Sequence, residues 1–419
     1  MDAWLVSLQL HQSGIHGPGT APGTWARRRP AASIAGMDAI LGDCSLDRLR
    51  RRTSHKWRTY PPDVLPAFVA EMDFDPAEQI KDAVRAALDA GDTGYPHKGE
   101  LGEAFAEFAA ERLGGWSPDP GLVFAIPDVM TGIAEVVQSV TEPGAAVVIS
   151  PPVYAPFFFR IELAGRRIAE APLASTADGA YDLDLDALDY ALAQPGAGAY
   201  LLCNPHNPLG RVWSRDELTG VAETCARRGV PVLVDEIHAP LVLPGGTHVP
   251  FHTLDHPAAR RAVVFTSASK GWNIPGLKCG IAVAAEPEAA DILARRWEAL
   301  LASHLGVHAT IAALRSARPW LDAAVAQIDA NAGLLATLLS ARLPGTRYRE
   351  PQASFLAWID CRELGLGEDP AAEFLSRGQV ALSPGPDFGS QGRGFARLNI
   401  GTSPELIAEA VTRMAAAVA

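Results

Sequence analysis

From about residue 80 onward, apolar positions along the chain recur with two different spacings. Ile80 to Leu88 and Ile133 to Val140 repeat every 3.6 residues, as an amphipathic helix does. Leu122 to Ile126, Ala145 to Ile149, Tyr200 to Cys203, Val230 to Val234 and Val263 to Thr266 are short apolar runs of the kind that form buried strands. Helical stretches such as Asp216 to Arg228 separate several of these runs. The alternation predicts βα units around a mostly parallel sheet. Beyond about residue 310 helical patterns dominate, at Trp320 to Leu339 and Pro370 to Ser376, with strand-like pieces at Ser354 to Asp360 and Phe395 to Ile400. That change predicts a second, smaller α+β domain. The expected organisation is an N-terminal extension over 1–43, a segment over 44–85 that packs with the small domain, a large domain over 86–315 and the small domain over 316–419.

The extension breaks the pattern. Gly14, Gly17, Pro18, Gly19, Pro22, Gly23 and Pro30 crowd a stretch that also carries Arg27, Arg28 and Arg29, and such a segment buries too little apolar surface to offset the entropy of ordering it. It is expected to be disordered, and Met37, just before the first capped apolar pattern, offers a later start codon as the other reading.

Composition narrows the function classes. Of 419 residues 48% are hydrophobic, enough for a sizeable core, while 36 Lys plus Arg against 48 Asp plus Glu leave a net charge of −12. Neither nucleic acid nor an anionic membrane is expected as a partner on that balance. Cys44, Cys203, Cys225, Cys279 and Cys361 are odd in number, far apart and without a C-x-x-C pair, so a reducing cytoplasm is the expected compartment. No uninterrupted apolar run reaches the roughly 18 residues of a membrane span, and Ala3 to Leu10 lacks the basic flank of a signal peptide. The 11 histidines are scattered, and no metal is expected at the site.

In sheets of this kind ligands gather at the carboxyl ends of the strands, so the residues that follow each apolar run carry the chemistry. After Cys203 comes Asn204-Pro205-His206-Asn207-Pro208-Leu209-Gly210, a turn-rich loop with two amides. After Val234 comes Asp235-Glu236-Ile237-His238, and a carboxylate ending an apolar strand needs a cationic or hydrogen-bonding partner if buried. After Thr266 comes Ser267-Ala268-Ser269-Lys270. An amine, an acid and an amide at adjacent strand ends suit pyridoxal phosphate, which requires a lysine for a Schiff base and a carboxylate for its ring nitrogen.

Here the chain resembles the aspartate-aminotransferase-like, fold type I pyridoxal phosphate enzymes and, within them, the cystathionine β-lyase (MalY/PatB) family. The resemblance runs from about Arg51 to the C-terminus. It rests on Glu71-Met72-Asp73-Phe74, Gly94-Tyr95, Pro151-Pro152-Val153-Tyr154, the asparagine loop, Asp235 to His238, Ser267 to Lys270 with Asn273-Ile274-Pro275, and Arg397-Leu398-Asn399-Ile400-Gly401. It implies an α/β fold: a large domain with a mostly parallel mixed sheet plus a smaller α+β domain. It also implies pyridoxal 5'-phosphate as cofactor, an amino-acid substrate, and a homodimer with shared active sites.

By resemblance Lys270 is the Schiff-base lysine and the base that takes the Cα proton. Asp235 pairs with the pyridine nitrogen, Asn207 donates to O3′, and Tyr154 stacks on the ring. The phosphate is expected at a helix N-terminus, held by the backbone of Val129 and Met130 and the hydroxyls of Ser267 and Ser269, with Tyr95 reaching it from the neighbouring subunit. Arg397 takes the substrate α-carboxylate. Two positions depart from the wider fold: Leu209 stands where threonine is usual, and Lys278 where arginine is usual. Lys278 offers the phosphate a charge without the bidentate fork of arginine, or is solvated. His238 lies near the cofactor or makes a structural hydrogen bond.

The resemblance implies a carbon–sulfur β-lyase that releases thiol, ammonia and pyruvate from cystathionine or another cysteine S-conjugate. An aminotransferase is the alternative, and a regulatory role through a protein-binding surface a further one. The chain has no P-loop, no G-x-G-x-x-G after a strand, no G-x-S-x-G elbow and no H-E-x-x-H, which leaves nucleotide-binding, serine-hydrolase and zincin readings without support.

Overall fold

Short apolar runs with helices on both faces must pair side by side to satisfy their backbone groups. The structure, a computed structural model, describes residues 40–176, 179–296 and 299–418. The main elements of its first part are helices α1 (Glu78–Asp89) and α2 (Leu101–Arg112), strand β1 (Val123–Ile126), helix α3 (Val129–Val140), strand β2 (Ala146–Ile149), helix α4 (Pro156–Leu163), strands β3 (Arg167–Glu170) and β4 (Ala197–Cys203), helix α5 (Arg215–Arg228), strands β5 (Val232–Asp235) and β6 (Val263–Thr266), the single-turn helix α6 (Ala268–Gly271) and strand β7 (Gly280–Ala284). The seven strands form one sheet in the order β1-β7-β6-β5-β4-β2-β3. All neighbours are parallel except that β7 runs antiparallel to both β1 and β6. This is the expected mostly parallel mixed sheet.

Two strands carry no signal in the apolar pattern. β3 is the sheet's edge and has a charged residue at each end, a common way of blunting an edge. β7 contains Gly280, Ala282 and Ala284, which have little strand preference, and becomes a strand because it is buried between β1 and β6. Gly280 has a positional reason: a Cβ there would lie 2.9 Å from Ile126 Cγ1 and 3.2 Å from the Val129 nitrogen. Its bare backbone lets the start of α3 close onto β7.

The later elements are helices α7 (His304–Ser316) and α8 (Arg318–Arg342), strands β8 (Arg347–Tyr348) and β9 (Leu356–Asp360), helix α9 (Pro370–Gly378), strands β10 (Ser383–Pro384) and β11 (Phe395–Asn399), and helix α10 (Pro404–Val418). The strands form an antiparallel sheet in the order β8-β9-β11-β10. By length and composition α8 is apolar enough to cross a membrane. Its Leu321, Ala324, Ile328, Ala332, Leu335 and Leu339 fall at helical spacing on one stripe and are buried in the protein's own core.

The extension expected over 1–43 lies outside the described residues as far as 39. Leu41, assigned to it, is instead 3% exposed, and its carbonyl accepts from the Asp75 N–H at 2.8 Å. Leu41 packs where the Gly- and Pro-rich composition has already ended, while Ile40 beside it stays exposed.

The segment after it lies across both parts of the chain. Leu65 and Pro66 pair in parallel with Val380 and Ala381. Asn399 Nδ2, at the end of β11, donates to the carbonyls of Val69 and Glu71, each at 2.7 Å. From the other side Asn273 Oδ1 accepts from the Met72 N–H at 2.9 Å, and its Nδ2 donates to the Met72 and Phe74 carbonyls, both at 2.9 Å. Beneath these, Lys56 Nζ and Asp73 Oδ1 form an ion pair at 2.8 Å with side chains 1% and 3% exposed.

A buried pair that loses one partner leaves an uncompensated charge. Asp73→Ala should therefore destabilise the protein by about 3–5 kcal/mol, measured by urea denaturation, while Lys56→Met combined with Asp73→Leu should cost less than the single change.

Candidate active site

The carboxyl ends of β4, β5 and β6 and the start of α3 open onto one cavity of about 300 Å³. Val129, Met130, Tyr154, Asn207, Asp235, His238, Ser267, Ser269, Lys270 and Lys278 all line it. These residues are spread over 150 positions, and the sheet order brings them together. Two expected residues stand outside the lining: Tyr95, which is 90% exposed, and Arg397, which sits behind Asn207.

Lys270 follows β6 in the single-turn α6, capped by Ser267, whose Oγ accepts from the Ser269 N–H at 3.0 Å. Its Nζ donates to the Ala70 carbonyl at 2.7 Å, so the amine is oriented by the segment that Asn273 and Asn399 hold. Apolar surroundings disfavour its ammonium form, with the Arg397 charge adding to the effect, and bring its pKa down to about 8. Asp235, the last residue of β5, is 3% exposed and accepts from the Ile237 N–H at 3.0 Å. Among the described residues no cation lies at ion-pair distance from it, and burial pushes its pKa up to about 7.

The asparagine loop is clasped from both sides. Asn204 is structural: its Nδ2 donates to the Val249 carbonyl at 3.1 Å and its Oδ1 accepts from the Trp213 N–H at 3.3 Å. Asn207 Oδ1 accepts from Arg397 Nη1 at 3.0 Å. A guanidinium only donates, so this contact fixes which end of the amide faces Arg397 and leaves Nδ2, a donor, for the cavity.

Val129 and Met130 open α3 behind the cap Asp128, whose Oδ1 accepts from the Thr131 N–H at 2.8 Å. Their own N–H groups have no intrahelical acceptor by position, the arrangement that receives an anion. Lys278 is neither free nor simply solvated, because its ammonium pairs with Asp128 Oδ2. The Ser267 hydroxyl donates to the Cys279 carbonyl at 2.8 Å and would have to turn from it to meet a phosphate.

Burial holds the His238 imidazole neutral, with a pKa down at about 3, and its Nδ1 has no hydrogen-bond partner among the described residues. The ring stands edge-on to Phe355. Tyr154 keeps its proton, since burial raises its pKa to about 12, and packs edge-to-face on Phe157. Arg397 comes from β11 and is 6% exposed. Its Nη2 donates to the Phe68 carbonyl at 3.0 Å and Ser383 Oγ at 2.9 Å, its guanidinium stacks on Phe388, and its Nε has no acceptor among the described residues. Ala70, Asp128 and Arg160 also line the cavity, and no sequence pattern singles them out.

A family model described as aminotransferase class I and II matches residues 69–414. The chain belongs to this aminotransferase family. It is 45% identical over 399 residues to a Mycobacterium tuberculosis protein named "Putative cystathionine beta-lyase", covering 89% of this chain and 97% of that one. It is 36% identical over 364 residues to the cystathionine beta-lyase PatB of Bacillus subtilis, covering 85% of this chain and 92% of the relative. Among solved structures, the PLP-bound C-S lyase of Staphylococcus hominis superposes with a TM-score of 0.81 at 26% identity, covering 88% of this chain and 96% of that one.

Pyridoxal phosphate is the cofactor of this aminotransferase-family chain, and the cavity fits it. The buried Asp235 carboxylate lacks a cation that a protonated ring nitrogen supplies, and the α3 start offers N–H groups to a phosphate.

Only the unprotonated amine attacks an aldehyde. With Lys270 near 8, the rate at which apo-protein captures pyridoxal phosphate should rise as pH rises and level off above about 8, with roughly a tenth of the plateau at pH 7. Stopped-flow absorbance checks this; a rate still climbing to the ordinary lysine range would contradict the depressed value.

Proposed function

We infer that the protein is a pyridoxal-phosphate-dependent carbon–sulfur β-lyase, acting by α,β-elimination on cystathionine or another cysteine S-conjugate to release thiol, ammonia and pyruvate. The observation that carries base catalysis is the Lys270 amine, partly buried at a strand end and brought down to about 8. Elimination rather than amino transfer is supported by the relatives named as cystathionine and C-S lyases.

When bound, pyridoxal phosphate supplies the electron sink that makes the substrate Cα acidic. Lys270 removes the Cα proton. Asp235 holds a proton at the ring nitrogen, and in doing so gains the cationic partner its burial demands. Asn207 Nδ2 donates to the phenolic oxygen, and Tyr154 covers the ring face. The Val129 and Met130 N–H groups and the Ser269 hydroxyl anchor the phosphate, with Lys278 adding charge beside Asp128. Arg397 receives the substrate α-carboxylate, for which its unpartnered Nε is a ready donor. Departure of a thiolate from Cβ then competes with return of the proton. Five unpaired thiols support a reducing cytoplasm as the place of work.

The proposed assembly is a two-fold homodimer. Tyr95, a large aromatic 90% exposed on its own chain, supports the reading in which it serves the partner's phosphate.

A panel of cysteine S-conjugates should give thiol, ammonia and pyruvate in equal amounts, and Lys270→Ala should abolish this together with covalent retention of the cofactor after borohydride reduction. Arg397→Ala should lower kcat/KM by roughly 10–150-fold, mostly through KM, because a charge-assisted contact worth about 1.5–3 kcal/mol is present from first binding. Efficient amino transfer with no thiol released from any conjugate would establish the aminotransferase reading instead.

For the assembly, Lys270→Ala and Tyr95→Phe protomers are mixed and subunit exchange is verified. Activity above that of either parent is expected. No recovery would place Tyr95 outside the partner's site.

A further inference from the structure

Helix α7 carries two histidines one turn apart, His304 and His308, so both imidazoles project from one face. Opposite them stands Asp92, three residues past the end of α1, where its N–H donates to the Ala87 carbonyl at 2.9 Å. The three side chains converge. His304 Nε2 lies 3.0 Å from Asp92 Oδ1, His308 Nε2 lies 3.5 Å from Asp92 Oδ2, and the two Nε2 atoms lie 3.3 Å apart. None of the three lines the active-site cavity.

The contact between the two Nε2 atoms is the informative one. If both imidazoles pointed an N–H at the carboxylate, the two N–H groups would crowd each other at this separation, so without a metal at most one Nε2 carries its proton. A metal ion takes that proton's place and bonds to both nitrogens. With zinc ligands at about 2.0–2.1 Å, two donors on a tetrahedron stand about 3.3–3.4 Å apart, which is the spacing seen here.

We propose that Asp92, His304 and His308 form a site for a divalent cation of the zinc class, completed by water. Two imidazoles and a carboxylate suit Zn²⁺ or Co²⁺ better than Mg²⁺ or Ca²⁺, which prefer oxygen ligands throughout. Asp92 is the most exposed of the three, at 53%, and gives the ion its way in. Among the described residues His304 Nδ1 is buried without an acceptor, so its proton stays unpaired when Nε2 binds metal, which weakens the site by roughly 10–100-fold against one with that partner in place. The ion would tie the loop after α1 to α7. Tyr95 lies on that loop, three residues beyond Asp92, so the site is a clasp on the segment that carries it.

The test uses the full-length, cofactor-loaded protein after chelator treatment, titrated with Co²⁺ by visible ligand-field absorption and with Zn²⁺ by calorimetry and thermal melting. One ion should bind per chain, with the spectrum of a four-coordinate site and a raised melting temperature. His308→Ala and Asp92→Asn should each weaken binding by at least about 100-fold, since even outer partners of a ligand contribute roughly 10–100-fold. Both residues are surface-accessible, and unchanged cofactor absorption and far-UV dichroism show that the variants fold. Equal binding by the variants and the parent protein, or no binding by the parent up to millimolar ion, overturns the proposal.

Discussion

Burial moves Asp235 up and Lys270 down, and both shifts come from apolar walls that solvate neither a carboxylate nor an ammonium well. Much of the surrounding structure follows from that condition. The amine needs an acceptor that does not fix it in the charged form, and a backbone carbonyl, that of Ala70, meets the need without adding a charge. That carbonyl has to be positioned, and the segment carrying it has no regular secondary structure at Ala70. Asn273 and Asn399 therefore bond its backbone from opposite sides, as neighbouring strands would, while Lys56 and Asp73 lock it from below. The Glu71 to Phe74 block, the Asn273 block and the Arg397 to Gly401 block thus share one physical task, which explains why residues outside the cavity stand with those inside it.

Strands whose ends carry the chemistry were legible because they are uninterrupted apolar runs, and Asp235 was conspicuous as an acid ending one. β7 was not legible: its strand state comes from two neighbours distant in sequence, and Gly and Ala give no local hint. The roles proposed for Lys270, Asn207 and Tyr154 rest on family resemblance, since a lysine after a strand has no distinctive spacing of its own. Pairing across long separations stayed hidden, as in Lys278 with Asp128 and Asn207 with Arg397. The histidine pair on α7 has a helical spacing that the sequence displays, whereas Asp92 joins it only through the packing of α7 on α1.

The Asn207–Arg397 hydrogen bond has a consequence for what the cofactor can report. One end of the Asn207 amide is held by the guanidinium proposed to read the substrate carboxylate, and the other end faces the phenolic oxygen in the proposed arrangement. A carboxylate arriving at the Nε of Arg397 draws on the same guanidinium whose Nη1 holds the amide, and any loosening of that contact changes how firmly the amide polarises the ring. In that proposed arrangement the colour of the bound cofactor becomes a gauge of occupancy at a guanidinium that does not line its cavity.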